Sequence, residues 1–430
     1  MIGTNTLKDV IIENDAFIHS IQDITQRESI LFPDDESKKV VVFFGVRRSG
    51  KTYSLYSQFK KIEDQSLYID FEDERLRDFS VDDFKKLKEA FLDLKPNLVG
   101  KRLFFYLDEI QNIPSWERYV RRASERDNIK IFVSGSSSKM TPKELHTTLR
   151  GRAWGIEVFP YSFKEYLTSR GIDSNDKTAL HDDRRFKIRS HFSDFLKWGG
   201  FPEVCNSKND VQKKTILKEY LSAIFFKDVV ERFNVTNIEL LDTLRDKLFE
   251  SAALKLSLNS FYKQYKENFP FSKDSLFAYY RNFLESMIVF ETRLFSPSSY
   301  KRQRNPPKIF LVDTGLARKL PNEAQGRHLE NVVFLELKRS GHNVHYFENR
   351  GECDFIAEDA SGKLSAIQVT LELNDSSKKR EVDGVIEASS AIGSKEGLIL
   401  TYDDEGEEKI DGVAIQILPV WKWLLIKRSI

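Results

Sequence analysis

Two cysteines in 430 residues, Cys205 and Cys353, are too few for a disulfide framework and too far apart for a metal knuckle. No run of eighteen apolar residues occurs, so no segment reads as a membrane-spanning helix. Charge of one sign is also missing: 67 Lys and Arg stand against 66 Asp and Glu. No global field draws the chain to nucleic acid or lipid, and any such binding rests on local patches. Twelve prolines and 20 glycines are too few for a collagen-like or low-complexity chain. The opening MIGTNTLKDVIIEND carries acids and lacks the basic-then-apolar order of a secretion signal. These absences together predict a reducing, cytoplasmic setting.

Phenylalanine is plentiful, at 33. Most positions lie beside Val, Ile and Leu, as in VVVFFG and KIFLV, which predicts aromatic-rich cores rather than base-stacking platforms. The length allows about three domains, and three regions differ in pattern. Residues 1–170 alternate continuous apolar runs with amphipathic stretches, the pattern of a parallel α/β sheet buried on both faces. Its runs are Val40 to Phe44, Ser66 to Phe71, Arg102 to Glu109 and Lys130 to Ser136. Residues 185–315 read as helical, and strands return across 316–430. Ile172 to Asp183 and Ser296 to Pro307 read as linkers.

Gly45-Val46-Arg47-Arg48-Ser49-Gly50-Lys51-Thr52 fits G-x-x-x-x-G-K-[ST]. The pattern arises by chance in about one per cent of chains this long, and here an apolar strand precedes it and an amphipathic stretch from Tyr53 follows. The glycines let backbone N–H groups curl toward a β-phosphate, and the helix start favours an anion. Residues 45–53 are therefore the expected nucleotide cradle, with Lys51 on the β- and γ-phosphates and Thr52 on Mg²⁺. Leu103 to Glu109 is an apolar strand that ends in two acids, Asp108 to support Mg²⁺ and Glu109 to orient the attacking water. The next strand ends in Ser134-Gly135-Ser136, where Ser134, or second Ser136, could reach the γ-phosphate; a turn capping the next helix is the equal alternative. Arg152, and less so Arg150, are candidates for an arginine finger, in cis or in trans. Arg47 and Arg48 could meet phosphate or a neighbouring subunit.

GVRRSGKT, YLDEIQNIPSWE, VSGSSS and LRGRAWGIEVFPYSFKEYL, in that order, resemble the AAA-type ATPase module of a large family of prokaryotic predicted ATPases. GGFPEV, KIFLVDTGLA, GRHLENVVFLEL, ECDF and PVWKWLL extend the resemblance over nearly the whole chain. It implies a P-loop parallel-sheet core over 1–170, a helical and winged-helix middle over 185–315, and an α/β restriction-endonuclease-like domain over 316–430. It also implies ATP/ADP and Mg²⁺ as ligands and slow hydrolysis through Lys51, Thr52, Asp108 and Glu109. Adenine selectivity rests on this resemblance, because no base-reading residue is identifiable.

In the middle region, Asn259 to Glu267 reads as a first helix and Lys273 to Ser286 as a second, capped by Ser272. A strand pair flanking Lys301, Arg302, Arg304 and Lys308 reads as a basic wing. DNA contact would use Lys273, Arg281, Lys301, Arg302 and Arg304, with Tyr279, Tyr280 and Asn282 on the same helix as Lys273. Winged helices also contact proteins, so both partners stay open, as does a homo-oligomer. Further on, Glu330, Asp354, Gln368 and Thr370 resemble the acid, Asp, (Asp/Glu)-x-Lys pattern of nucleases with a restriction-endonuclease core. Gln368 stands where the second carboxylate belongs and Thr370 where the lysine belongs, which favours a degenerate site. Three functions follow: a Mg²⁺-dependent ATPase that moves the winged-helix and nuclease-like domains, a nucleotide-gated binding switch with negligible turnover, and a metal-dependent DNA nuclease.

Overall fold

The structure, a computed structural model, describes residues 2–426 apart from 29, 31, 35, 136–146, 181 and 318–323. The chain forms two compact units, Met1–Phe159 and Pro160–Ile430.

The first unit is built on five parallel strands: β1 (Val40–Phe44), β2 (Ser66–Asp70), β3 (Leu103–Asp108), β4 (Ile129–Ser134) and β5 (Ala153–Glu157). Their spatial order is β2-β3-β4-β1-β5. β1 and β4 are buried along their whole length, as strands covered on both faces must be. Helices α1 (Thr4–Ser20), α2 (Lys51–Phe59), α3 (Asp83–Leu94) and α4 (Trp116–Arg126) connect and cover them. The phenylalanines do pack as core: Phe43, Phe59, Tyr68, Tyr106 and Phe132 share one cluster, with Tyr106 and Phe132 stacked at 4.7 Å. β5, whose AWGIE lacks a continuous apolar run, is the edge strand beside β1.

The second unit begins with helices, among them Arg184–Trp198 and Asp210–Ala223, the latter continuing into a π-helical stretch, Ile224–Glu231. There follow α5 (Ile238–Glu250), α6 (Leu258–Tyr265) and α7 (Lys273–Glu285), the last capped by the Ser272 side chain as its sequence predicts. Eight strands then form one mixed sheet: β6 (Val289–Leu294), β7 (Lys308–Leu311), β8 (Asn343–Glu348), β9 (Glu352–Glu358), β10 (Leu364–Val369), β11 (Glu396–Thr401), β12 (Gly406–Ile410) and β13 (Val413–Pro419). Their order is β12-β13-β11-β10-β9-β8-β6-β7. The expected hairpin β6–β7 thus joins the C-terminal sheet, through parallel pairing of Arg293 and Leu294 with His345 and Tyr346. Its connection holds a short helix, α8 (Ser299–Arg304), where a loop was expected. Helices α9 (Ala324–Arg339) and α10 (Lys378–Ala391) complete the part of the unit that matters here. The face of α10 packs Val382, Val385 and Ala388 onto Cys353, Ile356, Ile399 and Ile415. Cys353 is fully buried and burial pushes its thiol far up, in keeping with a small strand residue.

The GGFPEV and VDTGL segments are explained by one buried carboxylate. Asp313 accepts from the Gly200 N–H at 2.7 Å and the Gly315 N–H at 2.8 Å. Gly199 has φ 76°, and a Cβ there would lie 1.6 Å from the Asp313 Oδ1, so no other residue fits.

Candidate nucleotide site and a buried charge cluster

β1 delivers the chain to Gly45, whose φ is 144° and whose absent Cβ would come within 2.3 Å of the Val158 carbonyl oxygen. The turn runs through Val46 and Arg47 to Arg48, at φ 66°, then Ser49 and Gly50, at φ 99°, which hands over to α2. These left-handed residues curl the backbone around the head of the helix. Lys51 is buried, and its ammonium donates to the carbonyls of Gly45 and Val46, both at 3.1 Å. The Ser49 hydroxyl is buried without a hydrogen-bond partner among the described residues. Tyr53 is half-exposed on α2, edge-on to Tyr56. Arg27, which no motif singles out, donates to the Ser49 carbonyl at 3.2 Å and to the Phe159 carbonyl, bracing the loop.

β3 and β4 end beside this loop. The Asp108 carboxylate is buried and accepts from Tyr68 Oη at 2.9 Å, the Ser134 hydroxyl, the Glu109 N–H at 3.1 Å and the Thr52 hydroxyl. Burial first, then the charge of Glu109, pushes Asp108 up to about 7, against the pull of the Thr52 and Tyr68 hydrogen bonds. Glu109 adopts a left-handed backbone at φ 47°, and its carboxylate accepts from Gln111 Nε2. Lys51, Thr52, Asp108 and Ser134 are therefore gathered at the carboxyl ends of the parallel strands, where such sheets bind ligands. Ser136 lies outside the described residues.

Arg152 is not brought there. β5 runs parallel to β1, with Ala153 opposite Val40 and Glu157 opposite Phe44. A residue just before β5 therefore sits at the other end of the sheet, about 17 Å from the loop at ~3.3 Å per residue. Arg152 pairs there with Glu125, and Arg150 is exposed nearby. A finger acting within one chain is corrected on these grounds.

The second unit gathers Glu330, Asp354 and Gln368, and adds a residue the sequence had placed on the wing. Lys308 is 6% exposed, and its ammonium lies between Glu330 Oε1, at 2.5 Å, and Asp354 Oδ1, at 2.8 Å. Burial opposes its charge, yet the two carboxylates outweigh that and hold it well above the usual lysine range. Burial, then the Asp354 charge, pushes Glu330 up to about 8. Asp354 Oδ2 also accepts from the Val369 N–H. Gln368 accepts from the Asp354 N–H at 2.9 Å and donates to Glu381 at 2.5 Å. Thr370 lies just past β10, and its hydroxyl donates to the Glu372 carbonyl instead.

Of the DNA-facing candidates, Lys273, Arg281, Lys301 and Arg304 are exposed, while Arg302 is half-buried against the Ser296 carbonyl. Tyr279 and Tyr280 are not available. They share the buried face of α7 with Leu276 and Phe283, and their hydroxyls bond the Asn237 N–H and Glu291.

Loop, acidic strand end and parallel sheet define an AAA-type nucleotide-binding module, and residues 37–167 match the family model described as "AAA domain". Residues 189–326 match a domain of unknown function, DUF8612. The chain is 35% identical over 437 aligned positions to the uncharacterized protein MJ1544 of Methanocaldococcus jannaschii, covering 97% of this chain and 95% of that protein. It belongs to the family of that protein. An uncharacterized protein of Haemophilus influenzae is 27% identical, over 93% of this chain and 97% of its own length. Among solved structures, the chain resembles Cdc6p of Pyrobaculum aerophilum, with 13% identity, 68% of this chain and 87% of that one covered, and a TM-score of 0.25. It also resembles RuvB of Thermotoga maritima, a Holliday junction branch migration motor, with 13% identity, 68% and 90% covered, and a TM-score of 0.26. No helix among the described residues is long and apolar enough to cross a membrane.

Proposed function

We propose that this protein is a Mg²⁺-dependent ATPase whose nucleotide state moves a winged-helix segment and a restriction-endonuclease-like domain. We read a P-loop core over 1–170, a helical and winged-helix segment from 185, and a C-terminal domain whose sheet takes in β6 and β7, so the border expected at 315/316 falls inside one sheet. The convergence of Lys51, Thr52 and Asp108 at the strand ends carries the reading. The curled loop, with its two glycines at positive φ and a buried Ser49 hydroxyl that has no partner among the described residues, suits a phosphate tail. Lys51 exchanges the Gly45 and Val46 carbonyls for β- and γ-phosphate oxygens, while the N–H groups of residues 45–53 hold the remaining oxygens. Thr52 and Asp108 would hold Mg²⁺, which supplies charge that stabilises the leaving phosphate. Glu109 orients the attacking water and Ser134 senses the γ-phosphate. Arg152, at the far end of the sheet and paired with Glu125, has no role on the nucleotide of its own chain.

The switch with negligible turnover keeps one observation in its favour: Glu109 is engaged by Gln111 and Ser134 by Asp108. Single-turnover phosphate release separates the two readings, since a rate equal to buffer favours the switch. The ATPase reading expects Glu109→Gln to bind ATP normally and release no phosphate; release at the wild-type rate would contradict it. In the second unit, Lys308 fills the space between the two carboxylates and Gln368 is committed to Glu381, which supports a binding domain over a nuclease. DNA, through Lys273, Arg281, Lys301, Arg302 and Arg304, or a protein are the partners this domain arrangement suits.

A further inference from the structure

We propose that the outer face of α4 binds the sugar-phosphate backbone of a nucleic acid. The helix places Arg118, Arg122 and Arg126 at four-residue spacing, and all three are exposed. At 1.5 Å per residue they form a file about 12 Å long. With Arg121, Arg150 and Arg152 they line an open depression of about 330 Å³ whose one acid is Glu125. Glu125 is committed to Arg152. The adjoining depression, of about 430 Å³, adds Lys38, Lys39 and Arg102 against one further acid, Glu36.

Among the described residues this file has little counter-charge. No ion pair joins Arg118, Arg126 or Arg150 to an acid among the described residues, and Arg122 reaches Asp127 only at 3.9 Å. Like charges four residues apart weaken a helix, so a helix that keeps three in file calls for an external anion. A free phosphate needs donors that converge on a point, whereas these are strung along a line. Spaced about 6 Å apart, the three guanidinium groups can each meet a successive phosphate of one strand. Guanidinium groups pair with phosphate in bidentate geometry. No motif for reading base edges accompanies them, so binding is to the backbone and independent of sequence. With the overall charge balanced, attraction has to come from a local patch such as this one.

The test uses the full-length protein without nucleotide, so it does not depend on the ATPase reading. Fluorescence anisotropy follows a labelled DNA duplex and a labelled single strand between about 50 and about 200 mM salt. The variant Arg118→Gln/Arg122→Gln/Arg126→Gln, with its fold verified by thermal melting, is expected to lose on the order of 10²-fold in affinity at about 100 mM salt. Its salt slope should fall by about 2.7 on duplex or about 2.1 on single strand, for three lost phosphate contacts. The tighter of the two forms identifies the ligand. Lys214→Gln/Lys218→Gln, two exposed lysines on the helix Asp210–Ala223, should retain most of the affinity. Absence of binding by the wild type at about 50 mM salt would overturn the proposal. So would equal affinity and slope in the triple variant. Loss of self-association with DNA affinity unchanged would also overturn it, and assign this face to a second copy of the chain.

Discussion

Replacing Lys308 by methionine, close to it in shape, isolates the worth of the buried charge cluster. The ammonium is the cation held between Glu330 and Asp354, at 2.5 and 2.8 Å, and all three side chains are buried. Removing one partner from such a cluster costs about 3–5 kcal/mol, because the remaining charges stay in the interior uncompensated. At about 2–4 °C per kcal/mol, the melting transition should fall on the order of 10 °C. The pH dependence gives the loss a signature. Without Lys308, Glu330 loses the charge that offsets its burial and the repulsion from Asp354, so its proton affinity rises further above the unfolded value and the native state holds a proton the unfolded chain releases. Stability then falls as pH rises, and the deficit against wild type is larger at pH 8 than at pH 5. Adding Glu330→Gln and Asp354→Asn to the variant removes the stranded charges and should recover most of the loss. Scanning calorimetry across pH reads all three variants. An unchanged transition at pH 8, or a deficit that grows toward acid, would refute the buried network.

Gly45→Ala forces a Cβ to 2.3 Å from a carbonyl at φ 144°, a strain of about 1–3 kcal/mol. Titration with a fluorescent ATP analogue should show affinity lowered about tenfold or more; wild-type affinity would contradict the loop geometry. Asp313 is pushed up to about 7, chiefly by burial and against the pull of two N–H donors. Its folded pKa lies above the ordinary 3.8, so its contribution to stability is full below that value and lost as pH rises through 7. Asp313→Asn should therefore flatten the decline in melting temperature between pH 5 and 8, and an unchanged slope would count against it.

The loop and the acids after β3 were legible because their signals are local: fixed spacing in one case, a buried run ending in charge in the other. The same holds for the strands of the first sheet other than β5 and for the helix pair α6 and α7, whose apolar periods are unbroken. What escaped depends on pairing between distant segments. Arg27 and Tyr68 reach the site from other parts of the chain, and no pattern at 27 or 68 announces them. Lys308 follows Arg302 and Arg304 closely enough to read as a surface charge, yet it opens the buried strand KIFL and meets carboxylates on α9 and β9. Arg152 looked close to the site because it is close in sequence, and only the β1–β5 register sends it to the far edge. β12, GEEKI, carries too many charges to read as a strand and survives as an edge because one neighbour, β13, supplies its ladder.

The central claim is that the amides of residues 45–53 and the Lys51 ammonium hold the phosphates of ATP. Calorimetric titration of wild type and Lys51→Ala with ATP and Mg²⁺ tests it most directly. The account predicts saturable binding by the wild type and none detectable in the variant, with the fold intact; equal binding by the two proteins would contradict it.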